Sequence, residues 1–308
     1  MLVHKKCVKL SLRKLKQLNK YGVVEKNKEL KNLTTFKIGG NATYYLEICT
    51  IENLIKVLDY LEDKNAPIFI LGGGSNVLFS SSGYKGVVIK LSGDFAKILI
   101  KDNEMEVGAG AKLTQVLNVA IDNGLSGLEE SVGIPASVGG AVYMNAQAYG
   151  FEMSKIVDYV VAYRDKKIEF FSNEECKFGY RDSVFKTCSC IILRVGLKLQ
   201  KDLPAKIRNS SLETMKKRKS TQPLDCFSAG CVFKRMDGII VSQALDKMGI
   251  KGLSIGGAKV SEKHANFIIN ANNATSDDVL MLINQIQTQF YKLHKRELST
   301  EIVVIGDN

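Results

Sequence analysis

Three polar stretches in this chain of 308 residues carry side chains able to do chemistry. Gly179-Tyr180-Arg181-Asp182-Ser183 breaks an apolar region with a charged turn. Ser228-Ala229-Gly230-Cys231-Val232-Phe233-Lys234 presents the Cys231 backbone and thiol on a small-residue turn. Thr300-Glu301 sets one acid at the mouth of a final apolar run. Each has an equally good structural reading: a surface ion pair, a small buried residue, and an edge charge that blocks strand pairing. The three histidines, His4, His264 and His294, are too scattered for a zinc site, and no nucleophile-elbow sequence accompanies His264. Acid–base work therefore falls to carboxylates, Arg, Lys, Tyr, Ser or Cys.

Two glycine-rich stretches bring bare backbone close to something. They are Gly72-Gly73-Gly74-Ser75-Asn76, after an apolar run, and Gly133-Ile134-Pro135-Ala136-Ser137-Val138-Gly139-Gly140. Consecutive N–H groups in such turns suit a phosphate or pyrophosphate. No Lys-Ser/Thr pair follows the first, so an extended cofactor fits better than ATP.

The elements that must position these residues follow from periodicity. Helical spacing is predicted over Ile51–Leu61, Leu113–Asn123 (closed by Gly124), Ala205–Lys219, Ile240–Met248 and Ser276–Glu297, with Ser276 as N-cap. Strands are predicted at Thr43–Ile48, Pro67–Leu71, Val87–Leu91, Lys97–Ile100, Met105–Val107, Val157–Tyr163, Lys167–Phe171, Cys190–Leu199, Ala258–Val260, Asn266–Ile269 and Glu301–Ile305. Strands and helices mix without strict alternation, which gives an α+β class.

Hydrophobic content of 45% supports a large core in two or three domains. No run approaches the eighteen apolar residues that span a bilayer, and no secretory signal is present, so no membrane insertion is expected. Seven scattered cysteines without a CxxC pair suit free thiols in a reducing cytosol; Cys188-Ser189-Cys190 reads as ordinary strand. The formal charge of +11 is concentrated in residues 1–31, with ten Lys/Arg against two Asp/Glu. Leu10, Leu12, Leu15 and Leu18 among those lysines favour a docked amphipathic helix over a nucleic-acid or membrane tail.

At the level of motifs the chain resembles the UDP-N-acetylenolpyruvoylglucosamine reductases. The likeness begins with Thr34-Thr35-Phe36-Lys37-Ile38-Gly39-Gly40 and Leu71-Gly72-Gly73-Gly74-Ser75-Asn76-Val77-Leu78. It continues through Gly127-Leu128-Glu129, Gly133-Ile134-Pro135, Val138-Gly139-Gly140-Ala141 and Met144-Asn145-Ala146. Gly179 to Lys186, Gln222-Pro223-Leu224, Ser228-Ala229-Gly230, Lys259-Val260-Ser261, His264-Ala265-Asn266-Phe267 and Glu301 to Gly306 complete it, over about residues 30–308.

The resemblance implies a two-subdomain FAD-binding module of the vanillyl-alcohol-oxidase type plus a C-terminal α+β substrate domain. The boundaries implied are a basic extension (1–30), FAD subdomains at 31–92 and 93–202, and a substrate domain at 203–308 whose last strand returns to the active site. It further implies NADPH-dependent, FAD-mediated reduction of an enolpyruvyl ether on a UDP-sugar, a cytoplasmic step of peptidoglycan synthesis, by a monomer that binds no nucleic acid. By the same resemblance Arg181 stabilises the carboxylate and enolate, Glu301 is the C-terminal acid, and Cys231 stands where a proton-donating serine is usual. FAD falls to Gly72, Gly73, Gly74, Ser75, Asn76, Gly133, Ile134, Pro135, Ser137, Gly139, Gly140 and Ala141. Substrate falls to Tyr180, Lys219, Lys234 and Asn266. The chain departs from the family pattern at Cys231, Ala136, Gln147, Thr300 and Met236, and it lacks a tyrosine-bearing insertion, as in the shorter-form subgroup. The competing expectations are an FAD-dependent oxidase of the same superfamily and a basic RNA- or membrane-associated binder.

Overall fold

The computed structural model describes residues 17–62 and 66–306. Leu10, Leu12 and Leu15 of the expected amphipathic helix lie outside those residues; Leu18, inside them, is fully buried. The chain divides into two compact units, and the segment 31–92 contributes to both.

The first unit comprises residues 17–26, Tyr44–Gly73 and Gly86–Lys217. Its five-stranded antiparallel sheet runs in the order Lys167–Ser172, Val157–Arg164, Ile191–Lys198, Glu104–Gly108, Ile98–Lys101. Register places Phe171, Val160, Val195 and Val107 in one row across it, all buried. Their neighbours Phe170 and Leu99 are exposed on the opposite face, as a period of two requires. Helix Leu113–Asp122 buries Leu113, Val116, Leu117, Ala120 and Ile121, one face at helical spacing. It stops where Gly124 turns left-handed at φ +64, a conformation that costs glycine nothing. Helix Ile51–Glu62 buries Leu54, Val57 and Leu61 in the same way. Strand Ile68–Leu71 pairs in parallel with Tyr84–Leu91 and delivers the chain to the first glycine stretch.

The second unit comprises Asn27–Thr43, Gly74–Lys85 and residues 218–306. Its antiparallel sheet runs in the order Ser228–Cys231, Phe267–Asn270, Ala258–Val260, Ser254–Ile255. Helix Ser276–His294 buries Val279, Leu282, Ile283, Ile286 and Phe290. Its N-cap is Thr275, not Ser276. Thr275 and Asp278 form a capping box, while Ser276 exchanges hydrogen bonds with Ser81 (Ser276 N–H to Ser81 Oγ 2.8 Å; Ser81 N–H to Ser276 Oγ 2.9 Å). The final strand is shorter than expected, Val303–Ile305, and lies parallel to Val77–Phe79.

Candidate functional site

Within the first unit, Gly72 and Gly73 of the first glycine stretch pack against the second stretch, sixty residues on in sequence. A Cβ on Gly73 would lie 2.5 Å from the Pro135 carbonyl oxygen and 2.9 Å from Ala136 Cα; one on Gly72 would meet Ser137 Oγ at 2.8 Å. Only glycine allows that approach. Lys90 Nζ donates to the Gly72 carbonyl, which fixes the Gly72–Gly73 peptide plane and hence the direction of the Gly73 N–H. Burial holds the Lys90 ammonium below its ordinary pKa; Glu47 opposes this and Lys112 adds to it. Among the described residues, the N–H groups of Gly73, Gly74 and Ser75 donate to no protein acceptor, a donor set that suits a pyrophosphate.

The second stretch is not a phosphate nest of the same kind. Its N–H groups are largely spent inside the protein: Ile134 on Ser131 O (3.0 Å), Val138 on Ala111 O (2.9 Å), Gly139 on Ala109 O (2.8 Å) and Ala141 on Ser137 O (2.8 Å). The Gly140 N–H goes to the side chain of Ser137, the N-cap of the short helix Val138–Tyr143. A Cβ on Gly139 would lie 2.9 Å from Ala109 Cβ. Close packing, rather than anion binding, explains glycine here. The stretch packs its backbone directly against Gly72 and Gly73 of the first loop.

Arg181 sits in a tight turn of the same unit. Gly179 and Asp182 exchange backbone hydrogen bonds (3.0 and 3.2 Å), and Arg181 between them is left-handed at φ +52. Its guanidinium carbon lies 5.9 Å from the Tyr180 ring centroid, and Lys186 Nζ donates to the Arg181 carbonyl. Ser183 Oγ donates to Tyr143 O at 2.8 Å, tying the turn to the end of the short helix. The Tyr143 phenol is pushed up in pKa by burial and then by the charge of Asp182.

Cys231 and Glu301 belong to the second unit and stand on neighbouring segments. Glu301 N–H donates to Val232 O at 2.7 Å, Lys234 N–H to Ser299 O at 2.9 Å, and Phe233 bridges to Thr300. The end of the first glycine stretch joins this arrangement: Asn76 Nδ2 donates to Glu301 O (3.2 Å) and Val303 N–H to Asn76 O (3.0 Å). Thr35 spans the group, with its N–H on Gly74 O (3.0 Å) and its hydroxyl on Ser228 O (2.7 Å). Gly230 is left-handed at φ +79 with nothing within 4 Å of an added Cβ, so the turn presents half-buried Cys231 beside open space.

The structure gives Asn266 a different job from the expected substrate contact. Its side chain is buried; Oδ1 accepts from Phe233 N–H and Nδ2 donates to Phe233 O, both at 2.9 Å. Both ends of the amide are thus spent on the strand that follows Cys231. His264 supports it: Nδ1 accepts from the Asn266 N–H at 3.2 Å. Burial lowers the His264 pKa below 6.5, and Lys251 adds to the shift.

Lys219 and Lys234 are exposed, whereas Arg218, next to Lys219, is buried and donates to Gln222 Oε1 at 3.2 Å. Helical spacing was the available signal, because Ile207, Ser211, Thr214 and Arg218 form the buried stripe of helix Pro204–Thr221. A second correction concerns Cys188 and Cys190. Their Cα atoms are 5.3 Å apart and their sulfurs are bonded, so they are not free strand thiols. Cys49, Cys176, Cys226 and Cys231 form no disulfide, and burial pushes the Cys176 thiol up to about 12. Among the described residues no group of three or more His, Cys, Asp or Glu could hold a metal ion, and no helix is long and apolar enough to cross a membrane.

Two family models match separate parts of the chain. Residues 42–164 match the family model described as FAD binding domain, and residues 222–305 match UDP-N-acetylenolpyruvoylglucosamine reductase, C-terminal domain. The UDP-N-acetylenolpyruvoylglucosamine reductase of Caldanaerobacter subterraneus subsp. tengcongensis is 41% identical, over 96% of this chain and 97% of its own. The reductase of the same name from Anoxybacillus flavithermus is 40% identical, over 92% and 95%. The crystal structure of UDP-N-acetylenolpyruvylglucosamine reductase from Thermus caldophilus superposes with a TM-score of 0.81 at 36% identity, covering 92% of this chain and 99% of that one. With likeness at this level running through nearly the whole chain, it belongs to the UDP-N-acetylenolpyruvoylglucosamine reductase family.

Proposed function

We propose that this oxidoreductase reduces the enolpyruvyl ether of UDP-N-acetylglucosamine to the lactyl ether of UDP-N-acetylmuramate, with FAD as its bound carrier and NADPH as its reductant. The reading places the step in bacterial peptidoglycan synthesis, in the cytoplasm, carried out by a monomer. The observation that carries it is the convergence of Gly74–Asn76, the Cys231 turn and Glu301 through backbone and side-chain hydrogen bonds, with Thr35 as the bridge, in a chain of this family.

FAD would be held at its pyrophosphate by Gly72, Gly73, Gly74, Ser75 and Asn76. Its ring would lie along Gly133, Ile134, Pro135, Ser137, Gly139, Gly140 and Ala141. Bound there and reduced by NADPH, it would supply hydride to the terminal vinyl carbon of the substrate. The chain's own residues do the rest. Arg181 pairs its planar fork with the substrate carboxylate, where negative charge grows as the vinyl π electrons shift toward it. Glu301 shares a proton with that carboxylate and polarises it. Cys231 gives its S–H proton to the carbon next to the carboxylate and is reprotonated from solvent. A thiol of ordinary pKa, about 8.5, is still mostly protonated at neutral pH and is a stronger acid than a serine hydroxyl. Tyr180, Lys219 and Lys234 would meet the substrate's polar and phosphate groups, with Asn266 acting through the Cys231 strand.

The test is spectroscopic. Purified protein should carry a flavin band that NADPH bleaches and that the enolpyruvyl UDP-sugar restores without oxygen. Protein that cannot take up FAD, or whose bleached flavin recovers only in air, would overturn the reading.

A further inference from the structure

We infer that Asn145 is a positioning residue for Arg181; the inference rests on Arg181 as the group that binds the substrate carboxylate. Asn145 is fully buried and left-handed at φ +41, a conformation that asparagine tolerates better than most residues. Its side-chain amide is used at both ends. Oδ1 accepts from Ser154 N–H at 3.0 Å, while Nδ2 donates to Glu152 Oε1 at 2.8 Å and to the Gly179 carbonyl at 2.9 Å. Ser154 Oγ donates to the same Glu152 oxygen at 2.8 Å. One end of the amide thus meets a donor and the other two acceptors, so the group has a single orientation.

The Gly179 carbonyl is the hinge of the arginine turn. It accepts the Asp182 N–H that closes the turn at 3.2 Å, and its remaining lone pair takes Asn145. The other side of the turn is held by Ser183 Oγ on Tyr143 O. Both anchors, Tyr143 and Asn145, stand at the end of the short helix that begins in the second glycine stretch. That helix carries the position of Gly139 and Gly140 directly to the backbone of Arg181. A left-handed arginine persists only where its surroundings over-determine it, and this clamp is what does so. Asn145 therefore sets the distance between the backbone wall proposed for the flavin and the guanidinium, without touching the substrate.

Asn145→Asp tests this. The replacement keeps the shape and the acceptor for Ser154 but turns a carboxylate oxygen toward two acceptors, Glu152 and Gly179 O. FAD content and bleaching by NADPH should stay within about twofold of the parent protein, because that half of the reaction does not use Arg181. Recovery of the flavin by the enolpyruvyl UDP-sugar should slow about 10²-fold, the cost of a small misplacement of a binding group. Independently of turnover, trypsin should cut after Arg181 faster than in the parent, as the turn loosens. Glu152→Ala, which removes the carboxylate that orients the amide, should move both readouts in the same direction and serves if Asn145→Asp does not fold. Parental recovery and parental proteolysis in the folded variant would overturn the inference. So would parallel loss of FAD and of both half-reactions, which would make Asn145 part of the flavin cradle. If the parent protein's own flavin is not restored by the UDP-sugar, the functional reading fails, and trypsin still reports on the clamp.

Discussion

Glu301 donates its backbone N–H to the carbonyl of Val232 at 2.7 Å, so the acid and the thiol of Cys231 ride on adjacent segments locked by main-chain pairing. Backbone pairing sets the spacing of the two segments, and a substitution at Cys231 can change its chemistry while leaving that pairing intact.

Cys231→Ala should therefore fold, bind FAD and be bleached by NADPH at near the parental rate. It should be restored by the enolpyruvyl UDP-sugar about 10²- to 10⁴-fold more slowly, the range for loss of a positioned acid. Stopped-flow absorbance of the two half-reactions measures this. Parental turnover in Cys231→Ala would remove the thiol from the proton-donor role.

Lys90 should matter for the cofactor rather than for the chemistry. It donates to Gly72 O from a mostly buried site, where desolvation already lowers its pKa. Lys90→Met removes the charged donor, frees the Gly72–Gly73 peptide to turn, and should weaken FAD binding to apoprotein by about tenfold or more, given about 1.5–3 kcal/mol for a charged hydrogen bond. Flavin fluorescence titration reads the Kd, and an unchanged value would show that the peptide holds its orientation unaided.

His264 should give the protein a pH-dependent stability. Its folded pKa is depressed below 6.5 by burial, and its Nδ1 must stay unprotonated to accept from Asn266 N–H. Above 6.5 the stabilisation is complete. As pH falls below that, the unfolded chain takes up a proton that the folded chain refuses. Stability is lost until pH passes the folded value, at up to about 1.4 kcal/mol per pH unit. Urea unfolding of His264→Gln should show a shallower acid slope than the parent; equal slopes would contradict the assignment.

Asp278 closes the N-terminus of the long helix, accepting from Thr275 N–H at 2.9 Å and Gly257 N–H at 3.2 Å, with Thr275 the larger cause of its lowered pKa. Asp278→Ala should cost about 1 kcal/mol at neutral pH, as for loss of a cap. The folded pKa lies below the ordinary 3.8, so the difference from the parent is full above 3.8 and fades as pH drops through the folded value. Thermal melts at neutral and strongly acidic pH would show it, and a constant difference would mean that the carboxylate is not the cap.

Local pattern was enough for the elements whose residues report their own environment. The stripes Leu54-Val57-Leu61 and Leu113-Val116-Leu117-Ala120 announce buried helix faces, and the short apolar run Val160-Val161-Ala162-Tyr163 announces a buried strand. The arginine turn, the thiol turn and both glycine stretches were legible too, because small and charged residues inside apolar surroundings need a reason. The strand Val23–Glu29 was not: it is charged and largely exposed, so it has no apolar stripe to read.

Partner choice lay beyond the sequence taken alone. Nothing local shows that Val303–Ile305 pairs with Val77–Phe79, that Pro135–Ser137 abuts Gly72–Gly73, or that Asn266 spends both ends of its amide on Phe233. Lys219 and Arg218 are adjacent and alike in charge, and only the phase of the helix buries one and exposes the other. Residue type and spacing fix which groups can do chemistry, because those are properties of the side chain and its near neighbours. Which groups meet depends on backbone pairing between segments far apart in the chain, and that is settled only when the core closes around them.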